Sequence, residues 1–121
     1  MIQSRAAFLA VALFVSLSLS ACRSAFVQAV IVNRTGATVK LVEVDYPFAS
    51  FGRQQIAENA TYNYHFKILG SGPVKVTFTG SGNKIHTATG PTLDLGQQGN
   101  LTIILEGDGK VEWVSKLSPA K

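Results

Sequence analysis

The chain has one cysteine, Cys22, and its one methionine is the initiator Met1. A lone cysteine forms no internal disulfide, so the fold must stand on its apolar core. With no methionine beyond the initiator, no thioether is available to a copper ion. A strong charge of one sign is missing too, since 11 Lys and Arg face 7 Asp and Glu. The basic residues, among them Arg34, Lys40, Arg53, Lys67, Lys84 and Lys110, are scattered one per segment. A nucleic-acid binder concentrates such residues in a run or on one face, so no nucleic-acid partner is expected. No apolar run reaches the ~20 residues of a spanning helix. No long segment holds the 3.6-residue period of an amphipathic helix.

What the chain does have is an exported-protein leader. Met1 to Arg5 carry one positive charge, Ala6 to Leu19 are apolar or small with Ser16 and Ser18 among them, and Leu19-Ser20-Ala21 lead into Cys22. This is the layout of a secretory signal. Residues 1–21 are read as the leader, 22–25 as a linker, 26–118 as one domain and 119–121 as a tail. Losing the leader removes only Arg5 from the charge count and leaves the rest mildly basic. Some 100 residues suit one domain with one core.

Leu19-Ser20-Ala21-Cys22 resembles the lipobox of bacterial lipoproteins. That resemblance implies that the Cys22 thiol is alkylated by a diacylglyceryl group and that cleavage leaves Cys22 as the new N-terminus. Small side chains at Ser20 and Ala21 let an extended backbone enter the peptidase, and the sulfur is the nucleophile that accepts the lipid. Two acyl chains give stable anchoring at ~0.8 kcal/mol per buried CH₂. In lipoproteins of two-membrane bacteria an Asp after the cysteine resembles an inner-membrane retention signal. Arg23 stands there, which implies the outer membrane.

Beyond residue 25 a period of two dominates, and the domain is expected to be all-β. Phe26 to Asn33 and Val39 to Tyr46 read as a hairpin joined by Asn33-Arg34-Thr35-Gly36. In the second run Leu41 and Val42 are adjacent apolar residues ahead of the alternating Val42, Val44 and Tyr46. That slip predicts a bulge or a strand buried on both faces. Pro47 is expected to end the strand, with Phe48 to Gly52 as a connection. Tyr62, Tyr64, Phe66 and Ile68 are assigned to a core face, opposite Asn63, His65 and Lys67. Val74 to Phe78 and Lys84 to Ala88 make a hairpin through Gly80-Ser81-Gly82-Asn83, and Gly90-Pro91 bends into a short strand from Thr92 to Leu95. After a loop at Gly96 to Gly99, Leu101 to Glu106 and Val111 to Leu117 make a last hairpin through Gly107-Asp108-Gly109. Some seven or eight short strands with this spacing predict one antiparallel β-sandwich, Ig-like or prealbumin-like in general architecture only.

The segments Asn33-Arg34-Thr35-Gly36, Val44-Asp45-Tyr46-Pro47, Ser50-Phe51-Gly52, Tyr62-Asn63-Tyr64-His65-Phe66 and Gly90-Pro91-Thr92-Leu93 look similar to small uncharacterised single-domain β-sandwich lipoproteins of the bacterial envelope. The resemblance implies a fold and no chemistry.

No catalytic constellation is expected. Ser71 and Ser81 sit between glycines, but no Gly-x-Ser-x-Gly elbow occurs. His65 and His86 are the weak metal candidates, and two imidazoles fall short of the usual three or four ligands. No metal or cofactor is assigned. Asn33, Asn59 and Asn100 begin Asn-x-Thr triplets, which carry no glycan signal in a bacterium. Most aromatic residues fall at alternating strand positions and read as core. Phe48 and Phe51, in the expected loop beside Pro47 and Arg53, escape that reading. Phe48, Phe51 and Arg53 are therefore the candidate interaction surface. The expectation is a lipid-anchored, non-enzymatic envelope protein of the outer membrane, offering its sandwich as a structural or interaction module to an envelope protein or peptide. The alternative is a periplasmic small-ligand or metal-binding domain using His65, His86 and the 47–53 loop. Strand addition at an exposed sheet edge is a third route to a partner.

Overall fold

The computed structural model describes residues 25–119. The leader, the Leu19-Ser20-Ala21-Cys22 segment and Arg23 lie outside the described residues. Eight strands form: β1 (Val27–Arg34), β2 (Val39–Tyr46), β3 (Ala49–Ile56), β4 (Thr61–Phe66), β5 (Gly72–Thr79), β6 (Ile85–Leu93), β7 (Gln97–Glu106) and β8 (Val111–Pro119). They make two four-stranded sheets, ordered β4-β1-β7-β8 and β3-β2-β5-β6. The domain is an all-β sandwich. The last strand, β8, takes in Pro119.

Alternation places Val27, Ala29 and Ile31 of β1 and Leu101, Ile103 and Leu105 of β7 on one inner face. Val39, Val42 and Val44 of β2 with Val74, Val76 and Phe78 of β5 form the other. All are buried in a single core. Pairing is antiparallel throughout except between β1 and β7, which run parallel. The expectation of a purely antiparallel sandwich is corrected at that one seam. β1 and β7 lie far apart in the sequence, so no tight turn fixes their direction.

The hairpins β5–β6 and β7–β8 form where their turn residues place them. The expected β1–β2 hairpin does not. β1 pairs with β4 and β7, whereas β2 pairs with β3 and β5, so residues 35–38 carry the chain from one sheet to the other. Asn33 marks the departure: it pairs with Leu105 of β7 within its own sheet, and its fully buried amide donates across to the carbonyl of Ile56 in the other. The phase slip in β2 is a bulge, with Leu41 and Val42 standing between Lys40, opposite Thr79, and Glu43, opposite Thr77. Leu41 takes a left-handed φ of 50° there.

Two more expectations give way in the second sheet. The connection expected over Phe48 to Gly52 is mostly strand, since β3 begins at Ala49, and Pro47-Phe48 is the tight turn that enters it. β3 is an edge strand, so its exposed Gly52, Arg53, Gln54 and Gln55 need no apolar alternation. Gly90-Pro91 does not break the chain, because β6 runs continuously to Leu93 and Leu95 lies outside any strand. Gly90 and Pro91 stand opposite the single Val74 as a bulge on another edge strand, where the missing proline N–H is tolerated.

Candidate functional site

β3 and β4 are edge strands of opposite sheets that meet on one flank of the sandwich. Between them side chains form an aromatic clasp. Phe51 stacks on Tyr64 with ring centroids 4.3 Å apart and planes 10° from parallel. Tyr46 approaches Phe66 at 4.5 Å and Phe51 at 6.2 Å. The Arg53 guanidinium lies 5.1 Å over the Tyr62 ring, within cation–π range. The clasp grades outward from buried Phe51 and Phe66, through half-buried Tyr46 and Tyr62, to exposed Tyr64 and Arg53. Each aromatic contact adds about 0.5–1.5 kcal/mol beyond area burial. Burial raises the Tyr46 phenol above its ordinary value, and the nearby Tyr64 phenol adds to the effect.

Beside the clasp a shallow depression of about 520 Å³ is lined by Arg53, Gln55, Ala57, Thr61, Tyr62 and Asn63. Its polar groups and the unpaired backbone of the β3 and β4 edges can hydrogen-bond to an extended chain. The face of Tyr62 is already taken by Arg53.

Of the residues expected to form an interaction surface, Phe51 and Arg53 meet in the clasp and Phe48 stands apart at the β2–β3 turn. Phe48 is 88% exposed at the β2–β3 turn, Phe51 points into the core, and Arg53 stands on the open flank. Phe51 is corrected from loop to core because it lies opposite buried Val44 in the ladder. Tyr64, assigned to a core face, is exposed because β4 sits at the sheet edge.

The two histidines stand apart. His65 belongs to β4, at the edge of one sheet, and stacks on Phe26 at 4.5 Å. His86 belongs to β6, at the edge of the other, 5.2 Å from the Phe78 ring. β4 faces β3 while β6 faces β8, so the two imidazoles occupy opposite flanks. Among the described residues no group of three or more His, Cys, Asp or Glu side chains could hold a metal. His86 is wedged against Gly109, where a side chain would collide with its ring, and lies close to Gly80. It borders a recess of about 390 Å³ lined also by Thr35, Ser81, Lys84, Glu106 and Asp108. Ser71 has a structural bond, its hydroxyl accepting from the Leu95 N–H at 3.3 Å.

Sequence reasoning missed the polar centre of the domain. Asn33 is fully buried, and its Nδ2 donates to the carbonyls of Ala37 at 2.8 Å, Ile56 at 2.9 Å and Ala57 at 3.2 Å. Its Oδ1 accepts from the Thr35 N–H at 3.0 Å and hydroxyl at 2.8 Å. The signal present in the sequence was an Asn two residues before a Thr, the pattern of a local Asx turn. Among the described residues every buried side-chain nitrogen and oxygen has a partner.

No protein-family model and no curated protein matches the chain. Among solved structures, an NMR structure of a protein from Eubacterium rectale superposes with a TM-score of 0.54 at 16% identity, covering 74% of this chain and 86% of that one. The likeness is one of fold. At that identity it carries nothing about ligand or activity.

Proposed function

We propose that the protein is a lipoprotein of the bacterial cell envelope, held in the outer membrane through a diacylglyceryl thioether on Cys22. It presents its β-sandwich as a non-enzymatic structural or interaction module. The observation that carries this reading is the position of Cys22: the one cysteine of the chain directly follows Leu19-Ser20-Ala21 at the end of an apolar leader. Two acyl chains at ~0.8 kcal/mol per buried CH₂ hold a domain of this size on a bilayer. No described helix is long and apolar enough to cross a membrane, so lipid on Cys22 would supply the attachment. The non-enzymatic reading is supported by two polar side chains that have structural tasks. Asn33 secures a chain crossing, and Arg53 covers Tyr62.

Labelled palmitate and intact-mass measurement test the anchor. The wild-type protein should incorporate label, fractionate with membranes and carry an N-terminal acylated Cys22. Cys22→Ser, or globomycin treatment, should leave an unprocessed precursor. A wild-type protein that is unlabelled and fully soluble, or whose N-terminus lies beyond residue 22, defeats the proposal.

A further inference from the structure

The two ends of the sandwich differ in what their connections expose. At one end lie the start of β1, the Pro47-Phe48 turn, residues 67–71, residues 94–96 and the end of β8. The register fixes this grouping, because Tyr46 pairs with Ala49, Gly72 with Leu93, Val27 with Gly99 and Gln97 with Pro119. Phe48, Leu69 and Leu95 stand there with 88%, 49% and 66% of their surfaces open. They belong to one patch. The Phe48 ring lies where a side chain on Gly70 would come within 2.6 Å of it, and the Ser71 hydroxyl accepts from the Leu95 N–H. Phe26 is exposed at the same end, on the outer face of the β1 sheet.

The opposite end is built otherwise. Its connections at 35–38, 57–60, 80–84 and 107–110 consist of Gly, Ala, Asn, Ser, Thr and charged residues, with no large apolar side chain. Ile85, just inside β6, is the nearest exposed one.

The described chain enters the domain at the apolar end. Cys22 precedes Phe26 by four positions, and four residues of chain span at most about 14 Å. Resting on the proposed acylation of Cys22, we infer that Phe48, Leu69 and Leu95, with Phe26, seat this end of the sandwich in the lipid headgroup region. The opposite end and the β3–β4 flank then face away from the bilayer or along it, free for a partner. A tether this short brings those tips to the lipid surface, and exposed apolar side chains gain by entering the boundary between headgroups and acyl chains. Lys67 before Leu69 and Asp94 beside Leu95, both exposed, offset each other in charge, so the contact rests on the apolar side chains.

The contact is testable by depth-sensitive quenching on the full-length protein purified from membranes. In a Trp113→Phe background, Phe48→Trp, Leu95→Trp and Ile85→Trp each place one indole at a chosen point. Each variant is reconstituted into vesicles of phosphatidylglycerol and phosphatidylcholine, with or without bromine on the acyl chains. Indoles at 48 and 95 should lose at least about half their emission to brominated lipid, while the one at 85 should lose little, as interfacial burial of one end requires. Equal quenching at all three positions, or none at 48 and 95, overturns the inference. Blue-shifted emission at 48 and 95 that appears without lipid as protein concentration rises places a second copy on this end and also overturns it. Intact mass of the same preparation separates the two readings. An acylated Cys22 with unquenched indoles at 48 and 95 removes the contact and leaves the anchor, and an unmodified Cys22 removes the anchor and the contact with it.

Discussion

Replacing Asn33 tests whether one buried amide decides where the chain changes sheets. Its Nδ2 and Oδ1 make four side-chain hydrogen bonds of 3.0 Å or less, to Ala37, Ile56 and the two donors of Thr35. Its backbone accepts from Asn59 N–H at 2.9 Å and donates to the Ala60 carbonyl at 3.0 Å, so the same residue ties β1 to the β3–β4 connection. At a net worth of about 1 kcal/mol for each side-chain bond, Asn33→Ala should cost ~3–4 kcal/mol, partly because buried carbonyls lose their donor. That is a large share of the ~5–15 kcal/mol that holds a domain together. Urea denaturation should show the loss as a lower midpoint at unchanged slope. Thr35→Ala, which leaves the amide in place, should cost only ~1–2 kcal/mol. Asn33→Asp should be worse than alanine at neutral pH, since it sets a carboxylate oxygen against the carbonyls that the amide now serves. That carboxyl would have its folded pKa raised above its unfolded value near 4. Its stability contribution is therefore present in acid and lost as pH rises. A cost below ~1 kcal/mol for Asn33→Ala, or an Asn33→Asp protein as stable as wild type at pH 7, would refute the account.

Three further outcomes are expected. Gly90→Val should dislodge Trp113, whose indole lies 2.6 Å from where a Cβ would stand, giving a red-shifted emission from the only tryptophan and a loss of ~1–3 kcal/mol. Unchanged emission would mean the ring is not held there. Because the folded Tyr46 phenol titrates above the unfolded one, its contribution is intact below about pH 10 and is lost as pH rises through the folded value. Thermal melts from pH 9 to 11 should thus show a shallower alkaline decline for Tyr46→Phe than for wild type, and parallel declines would count against it. Zinc or copper should shift the melting temperature of wild type and of a His65→Ala/His86→Ala protein alike. A shift confined to wild type would mean that the imidazoles on opposite flanks bind metal after all.

The strands legible in the sequence are those whose two faces meet different surroundings. β5 alternates Val74, Val76 and Phe78 with exposed Lys75 and part-exposed Thr77, and its hairpin to β6 follows from the Gly-Ser-Gly-Asn turn. The bulge at Leu41-Val42 was legible for the same reason, because a step out of phase requires an extra residue. Edge strands hid their identity. β3 contributes only Phe51 and Ile56 to the core, so its first residues, with Phe48, read as a connection over Phe48 to Gly52, and the Pro91 of β6 read as a break. The partition into sheets was not legible, since alternation reports burial and not the neighbour. Asn33 carries that information in its hydrogen bonds to residues 56 and 57, more than twenty positions away. The candidate site suffered most. Phe51 and Arg53 were grouped with Phe48 by sequence proximity, but the turn leaves Phe48 open to solvent while β3 carries Phe51 and Arg53, two residues apart on one face, into the clasp with β4.

Phe48 bears hardest on the distinction between a residue kept for folding and one kept for contact. It follows Pro47 in a tight turn and has a φ of 70°, a left-handed conformation that glycine or asparagine adopts more readily than a bulky side chain. The backbone cost is ~1–2 kcal/mol, and the ring remains almost fully open to water apart from its contact over Gly70. Folding alone gains little from an aromatic residue at that position. Phe48→Asn should therefore keep or raise the melting temperature, by up to ~1 kcal/mol of stability, since the left-handed turn suits asparagine. The same substitution should weaken the lipid contact of the apolar end. A loss of more than ~1 kcal/mol on Phe48→Asn would show that the ring's cover of Gly70 is a folding contact. The exposed tip would then need no membrane to account for it.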